Sequence, residues 1–457
     1  MGGKRVQGAW VAARLAGVAV ILVIMIGASV TNVSAIPAFA RKYHTSCQTC
    51  HIAFPNLTPF GEAFRLNGYR FPAGTDASVS KDQPVALGAE GYKKLWPKSV
   101  WPGEMPGLPP VSMAVETEVA YDHAAKTTSF SGLPSEVAVL TGGTLGEHAS
   151  FYGEVEFARE DTGEISTALQ RVNIQFRPLT SPAFQIKVGS FEPGLLLVSN
   201  HRRLTDHPYY LLSQPVLDNQ WTAEEWQQGI EFFGVVAHRL QYNAGYVEGS
   251  GNVVNNSKDY YGRVAYKFGG LRLDGTTKAG ATDLAANPKP WSETSLRVSA
   301  FAYKGRPFLS DTSTALQTDP GCTTLPCDVV AVDTTLSQND PFRIYGGDIA
   351  LIVKDLIVNA GLADRTDRSP DLVDPNNTDV KTKIRYGEIG WVAYPWLVPA
   401  ARWESLDIEG AKMEQLSLTI NLLIRANVKG FIASNRVKEP GAKYTTEEVV
   451  GGVVFGF

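Results

Sequence analysis

Five consecutive residues, Cys47-Gln48-Thr49-Cys50-His51, carry the most specific chemistry in the chain. C-x-x-C-H is the attachment signature of a c-type haem. The two thiols add across the haem vinyl groups as thioethers, and the adjoining imidazole is held where it ligates the iron. C-x-x-C also reads as a redox dithiol or as half of a zinc site. Zinc wants further Cys or His at ligand spacing, yet the remaining cysteines, Cys322 and Cys327, lie far off in a polar stretch. A dithiol of the thioredoxin kind wants a βαβ context, which the flanking sequence lacks. One covalently bound haem c is therefore expected, on Cys47 and Cys50, with His51 as axial ligand.

A second axial ligand is less legible. Met105, in Pro102-Gly103-Glu104-Met105-Pro106, sits in a loop able to fold over a haem, and is the candidate sixth ligand. Met113 falls on the apolar side of its strand and is set aside as lipid-facing. His44 is too close to the motif to reach the opposite face. His123, His148, His201, His207 and His238 read as ordinary polar residues, and an open or water-bound position is the alternative. Arg41, Lys42 and Arg65 are candidates for pairing with haem propionates, or else are solvated cations.

These groups need elements to hold them. Residues 1–35 have the pattern of a signal peptide: Lys4, Arg5 and Arg14, an apolar run from Leu15 to Ala28, and Val33-Ser34-Ala35 as a cleavage site. Residues 36–72 read as a miniature cytochrome, dense in aromatics. Thr58 is its expected helix N-cap, Pro59 the first helical residue and Gly68 the stop. A segment that short needs a staple, which a haem would supply. Residues 73–110, with Leu95-Trp96-Pro97 and Trp101-Pro102-Gly103, read as a Pro/Gly/Trp-rich linker packed on something. Removing the three signal-peptide cations from 42 Lys+Arg leaves 39 against 46 Asp+Glu, a net charge of −7. That balance argues against a nucleic-acid partner.

From residue 111 to 457 the texture is period two, in segments of roughly ten residues. Leu416, Leu418, Ile420, Leu422 and Ile424 alternate with Ser417, Thr419 and Asn421, and other segments do likewise. No helices balance the apolar faces, and Glu and Arg recur on the polar ones, as in a wet lumen. The chain closes on Val453-Val454-Phe455-Gly456-Phe457, like the end of bacterial outer-membrane proteins. The expected fold is mainly β: a transmembrane antiparallel β-barrel with a small N-terminal α-helical c-type cytochrome segment. About seventeen segments can be marked, one of them near residue 271. A barrel with both ends on one side needs an even number, so about 16 strands are expected. Lys354-Asp355 and Tyr394-Pro395-Trp396 read as periplasmic turns. Glu192–Glu225, Lys304–Asp340 and Thr366–Lys381 read as outer loops, the second carrying a local Cys322–Cys327 disulfide.

Phe39-Ala40-Arg41, the C-x-x-C-H motif and Phe54-Pro55-Asn56-Leu57-Thr58-Pro59-Phe60-Gly61, followed by a barrel of this size, resemble the fused monohaem cytochrome–porin family of outer-membrane iron oxidases. The specific part of the resemblance runs from about Pro37 to Tyr69; the rest is an arrangement. It implies an outer-membrane electron-transfer protein that takes electrons from extracellular Fe(II) and passes them to periplasmic carriers, with Cys47, Cys50 and His51 in the roles given above. Outer-loop carboxylates, among them Asp364, Asp367, Asp371, Asp374 and Asp379, would attract a hard cation, or else form a solvated loop. The competing functions are a solute channel whose haem segment is a plug or sensor, and the same conduit run outward to an external acceptor.

Overall fold

In the computed structural model, residues 38–457 are described except 73–79, 82–84, 87–89, 96, 98–103, 106–109, 131, 160–162, 200, 224–225, 250–256, 278–286, 319–328, 375 and 377. The signal peptide and the Cys322–Cys327 pair fall outside the described residues.

The N-terminal segment contains three short helices, α1 Ala38–Tyr43, α2 Cys47–Cys50 and α3 Pro59–Leu66. The expected signals act where they stand. Thr58 caps α3, its hydroxyl accepting from Gly61 N at 3.0 Å, with Pro59 as the first helical residue. Gly68 leaves the helix at φ +67°, a backbone region that favours glycine. In the linker, Val85–Ala86 pairs with Glu104–Met105, and α4 covers Glu90–Leu95. Lys81 N donates to Lys42 O at 2.8 Å, tying the linker to α1.

Sixteen antiparallel staves close into a barrel, from Val111–Asp122 to Thr445–Gly456, which pair with each other at Val450↔Ala120 and Val453↔Thr117. One stave is interrupted: Thr127–Ser129 and Glu136–Leu145 share the same neighbour. The barrel is inside-out relative to a water-soluble sheet. On Ala411–Arg425, Gln415 and Asn421 are 1% and 2% exposed, whereas Leu418 and Ile420 on the opposite face are 37% and 46% exposed. Closure leaves no open sheet edge, so backbone polar groups are satisfied without water. Covering each outward Leu or Ile with lipid contributes about 1.5–3 kcal/mol. The chain is an outer-membrane β-barrel. Exposed Tyr394 and Trp396, stacked at 5.4 Å on a short turn, sit where an interfacial aromatic belt is expected.

Three features of the chain differ from expectation. The segment near residue 271 is a turn, not a strand. Its Leu-Arg-Leu-Asp alternation imitates one, but Leu273 is buried between Leu66 of α3 and Val235. The 304–340 stretch carries a hairpin, Phe308–Thr318 pairing with Val329–Asn339 outside the barrel sheet.

The largest correction concerns residues 192–221. Expected as an outer loop, this stretch folds into the lumen, because its Leu195, Leu196, Val198, Leu211 and Leu212 find apolar partners there. It carries a four-residue helix, α5 Tyr210–Ser213. Barrel side chains satisfy its backbone: Asp348 accepts from Leu197 N, Glu388 from Leu204 N and Thr205 N, and Glu404 from Tyr210 N. Arg402, buried and paired with Glu404 at 2.9 Å, donates to His207 O and Pro208 O. At the far end Asn219 donates to Asp340 and Asp367, and Trp221 Nε1 to the Tyr303 hydroxyl.

Candidate haem site

The N-terminal segment seats in one mouth of the barrel. Gln48 donates to Pro395 O at 3.1 Å, so this is the end with the short turns, the periplasmic end in a bacterial barrel. Gln185 donates to Leu66 O, Asn67 to Asp274 O and Asn56 to Arg202 O, so both wall and lumen segment hold it. Arg297 reaches from the wall to Glu62 at 2.9 Å.

Within the segment, local bonds fix the motif. Ser46 caps α2, accepting from Gln48 N, and His51 N closes the turn on Cys47 O at 2.9 Å. Thr58 binds the motif twice, through N to Cys50 O and through Oγ1 to Thr49 O at 2.6 Å. His51 Nδ1 lies 3.3 Å from Pro55 O. A carbonyl oxygen only accepts, so Nδ1 carries the proton and Nε2 keeps the free lone pair that an iron needs. Burial pushes this imidazole down to about 4, which keeps it neutral.

Cys47, Cys50 and His51 line a single cavity of about 320 Å³, within the size range of cofactor sites. Phe39, Tyr43, Phe60, Phe64 and Phe71 form an aromatic cluster beside it, with Phe39–Phe64 at 5.1 Å and Tyr43–Phe71 at 5.2 Å. Burial and the neighbouring Cys47 push the Cys50 thiol up to about 12. A reactive dithiol has its attacking thiol shifted the opposite way. Among the described residues no group of three or more His, Cys, Asp or Glu is arranged for a metal ion.

The cavity's other wall comes from the barrel and the lumen segment: Tyr152, Arg171, Glu192, His201 and Arg202. Arg202 bonds Glu192 at 2.8 Å, while its Nε is buried without a hydrogen-bond partner. Burial draws the Arg202 guanidinium below its usual range, as do the nearby Arg65 and Arg297, with Glu192 opposing. Another anion would relieve that cluster. Thiols, a neutral imidazole, an aromatic wall and an under-satisfied cationic end are together what a covalently attached haem with two propionates requires.

The other sequence candidates distribute unevenly. Arg65 lines the cavity, bonded to Glu62 through Nε and Nη2, so its propionate role is shared with an existing pair. Arg41 and Lys42 are turned to the barrel instead, onto Val111 O and Thr144 Oγ1. His44 is exposed at φ +50° and stands off the cavity, as its position in sequence suggests. Met113 borders the cavity at the end of its strand, paired with Val139, on the face opposite that of its neighbours Ser112 and Ala114. Met105 lies on the Glu104–Met105 strand, and its side chain is outside the described residues. The acidic outer cluster is dispersed. Asp364 and Asp367 are strand residues paired with Arg385 and Arg365, while Asp371 and Asp374 accept from nearby backbone N–H groups.

Arg171, His201 and Arg202 were not legible as site residues. Arg171 lies 120 residues beyond His51 and enters by barrel closure; the other two enter because a presumed surface loop turns inward. The apolar content of that loop was the available signal.

No protein-family model matches the chain, and no curated protein matches it. Solved structures similar to it include an anion-selective porin from Comamonas acidovorans (TM-score 0.49, 10% identity, 76% of this chain and 98% of that one). Another is Salmonella typhi OmpF in complex with daunomycin (TM-score 0.49, 11% identity, 76% and 97%). A third is the outer-membrane protein OmpT of Vibrio cholerae (TM-score 0.45, 11% identity, 76% and 97%). Likeness at this level says nothing about solutes, cofactors or partners.

Proposed function

We propose that this chain is an electron conduit of the outer membrane, belonging with the fused monohaem cytochrome–porins, and that it oxidises Fe(II) at the cell surface and delivers electrons to a periplasmic carrier. One observation carries the reading: both thiols and the imidazole of C-x-x-C-H open onto one cavity in the mouth of a membrane barrel. Cys47 and Cys50 would hold haem c as thioethers and His51 Nε2 would meet its iron; Arg202, with Arg65 and Arg171, would face its propionates. A haem supplies a one-electron redox couple when bound. The chain's own residues do the rest. Pro55 O fixes the His51 tautomer, the aromatic cluster would keep water from a bound porphyrin, and the docked segment would hold the centre at the periplasmic mouth within reach of a carrier.

The channel reading is the weaker one, because residues 192–221 occupy the lumen. Direction of flow rests on the haem potential, and Fe(II) as donor rests on the family resemblance. Stopped-flow mixing of the oxidised protein with Fe(II) under anoxic conditions tests both. Growth of the reduced-haem α band is expected, and it should be absent in His51→Ala while the barrel still assembles. A haem that dithionite reduces but Fe(II) does not would remove iron as the donor.

A further inference from the structure

We propose that His201 supplies the second axial imidazole, on the face of the haem away from His51; the inference rests on the haem reading above. The chain has seven histidines. His51 and His201 are the two that line the cavity, one from the N-terminal segment and one from the lumen segment. The other five are placed elsewhere. His44, His123, His148 and His238 are exposed, His148 near Arg177 O and His238 on Asp274. His207 lies deeper in the lumen, 3.4 Å from Asn435.

His201 is held as a ligand must be. Its backbone N donates to Ser199 Oγ at 3.1 Å. On one side of it Leu197 N is fixed by Asp348, and on the other Leu204 N and Thr205 N by Glu388. The next residue, Arg202, takes the Asn56 side chain on its carbonyl, which joins this strip of lumen to the turn that follows His51. Among the described residues the His201 ring has no hydrogen-bond partner. An anchored imidazole with nothing to bind, lining the same cavity as the haem motif, is a ligand in waiting. Met113 also borders this cavity and is the thioether competitor.

The two donors are separable by spectroscopy on the purified full-length protein, once covalent haem has been quantified in alkaline pyridine. With His201 as ligand, the ferric protein shows the low-spin electron paramagnetic and near-infrared circular-dichroism signature of two imidazoles. His201→Ala should convert it to a high-spin form with covalent haem content unchanged, and added imidazole should restore the low-spin signal. His201→Met should introduce the thioether-to-iron charge-transfer band and raise the midpoint potential, since Met/His ligation sits above bis-imidazole. Full haem loading with an unaltered low-spin spectrum in His201→Ala overturns this assignment alone, as does a thioether band already present in the wild-type protein. A chain with no covalent haem overturns the haem reading, and this one with it.

Discussion

A methyl group on Gly61 would stand 2.1 Å from the Cys50 carbonyl oxygen and 3.0 Å from Cys50 Cα. The start of α3 therefore presses on the C-x-x-C helix at a point where only hydrogen fits, and backbone atoms cannot yield as a flexible side chain would. Because Thr58 ties the same helix to Thr49 and Cys50, α3 has no free direction in which to retreat. Gly61→Ala is expected to cost about 1–3 kcal/mol of local stability and to lower the covalent haem per barrel. Gly387→Ala, with nothing within 4 Å of the added carbon, should leave both unchanged. Haem stoichiometry in alkaline pyridine checks the pair, and a fully loaded Gly61→Ala protein would show that the close approach is dispensable. In sequence, Gly61 was one letter of a family-like string; its role depends on the helix crossing.

The elements divide into those that periodicity reveals and those that tertiary partners decide. Lipid and lumen impose opposite demands on alternate residues, so the staves wrote themselves into the sequence as period two, and sixteen of the marked segments stand. The 271 turn and the lumen segment failed for one reason: their apolar residues answer to partners far away in the chain, Leu66 for one and the strand interiors for the other. The docking of α3 is likewise non-local. Glu62 bonds Arg65 on its own helix and Arg297 on the wall. Burial alone would raise its carboxyl, yet Arg65, Arg297 and Arg202 outweigh burial and hold it well below the usual range. A depressed carboxyl contributes stability above its unfolded value, about 4.3, and loses it only as pH falls through the lower folded value. Docking of residues 38–72 is thus expected to persist through mild acid and loosen only below the ordinary carboxylate range. Glu62→Gln, which leaves Arg297 without its charge partner, should weaken docking by about 3 kcal/mol and remove that acid-dependent limb. Hydrogen exchange of the segment against pH measures both effects, and an unchanged acid limb in the variant would assign it to another group.

At the scale of the whole molecule, the barrel is closed by its own chain twice, by the N-terminal segment at one mouth and by residues 192–221 along the lumen. The apolar band of such barrels is about 25 Å tall, so on the proposed reading a haem held at the periplasmic mouth would have the packed lumen segment between it and the cell surface. That makes the two functional readings predict opposite outcomes for one variant. Replacing residues 195–217 with a short Gly/Ser linker removes the packing of Leu195, Leu196, Tyr209 and Leu212 and leaves Glu388, Glu404 and Arg402 facing water. Planar-bilayer conductance, expected to be far below that of an open porin in the intact protein, should rise severalfold or more. If electrons cross through the packed lumen, haem reduction by Fe(II) added on the outer side of proteoliposomes should slow as conductance rises. If the chain is a channel through which Fe(II) itself travels, reduction should accelerate with conductance. The variant also removes His201 and Arg202, so the comparison is made against His201→Ala/Arg202→Ala with the lumen segment intact, which isolates the loss of the packed path from the loss of those two side chains. Faster reduction on opening, relative to that reference, would overturn the conduit.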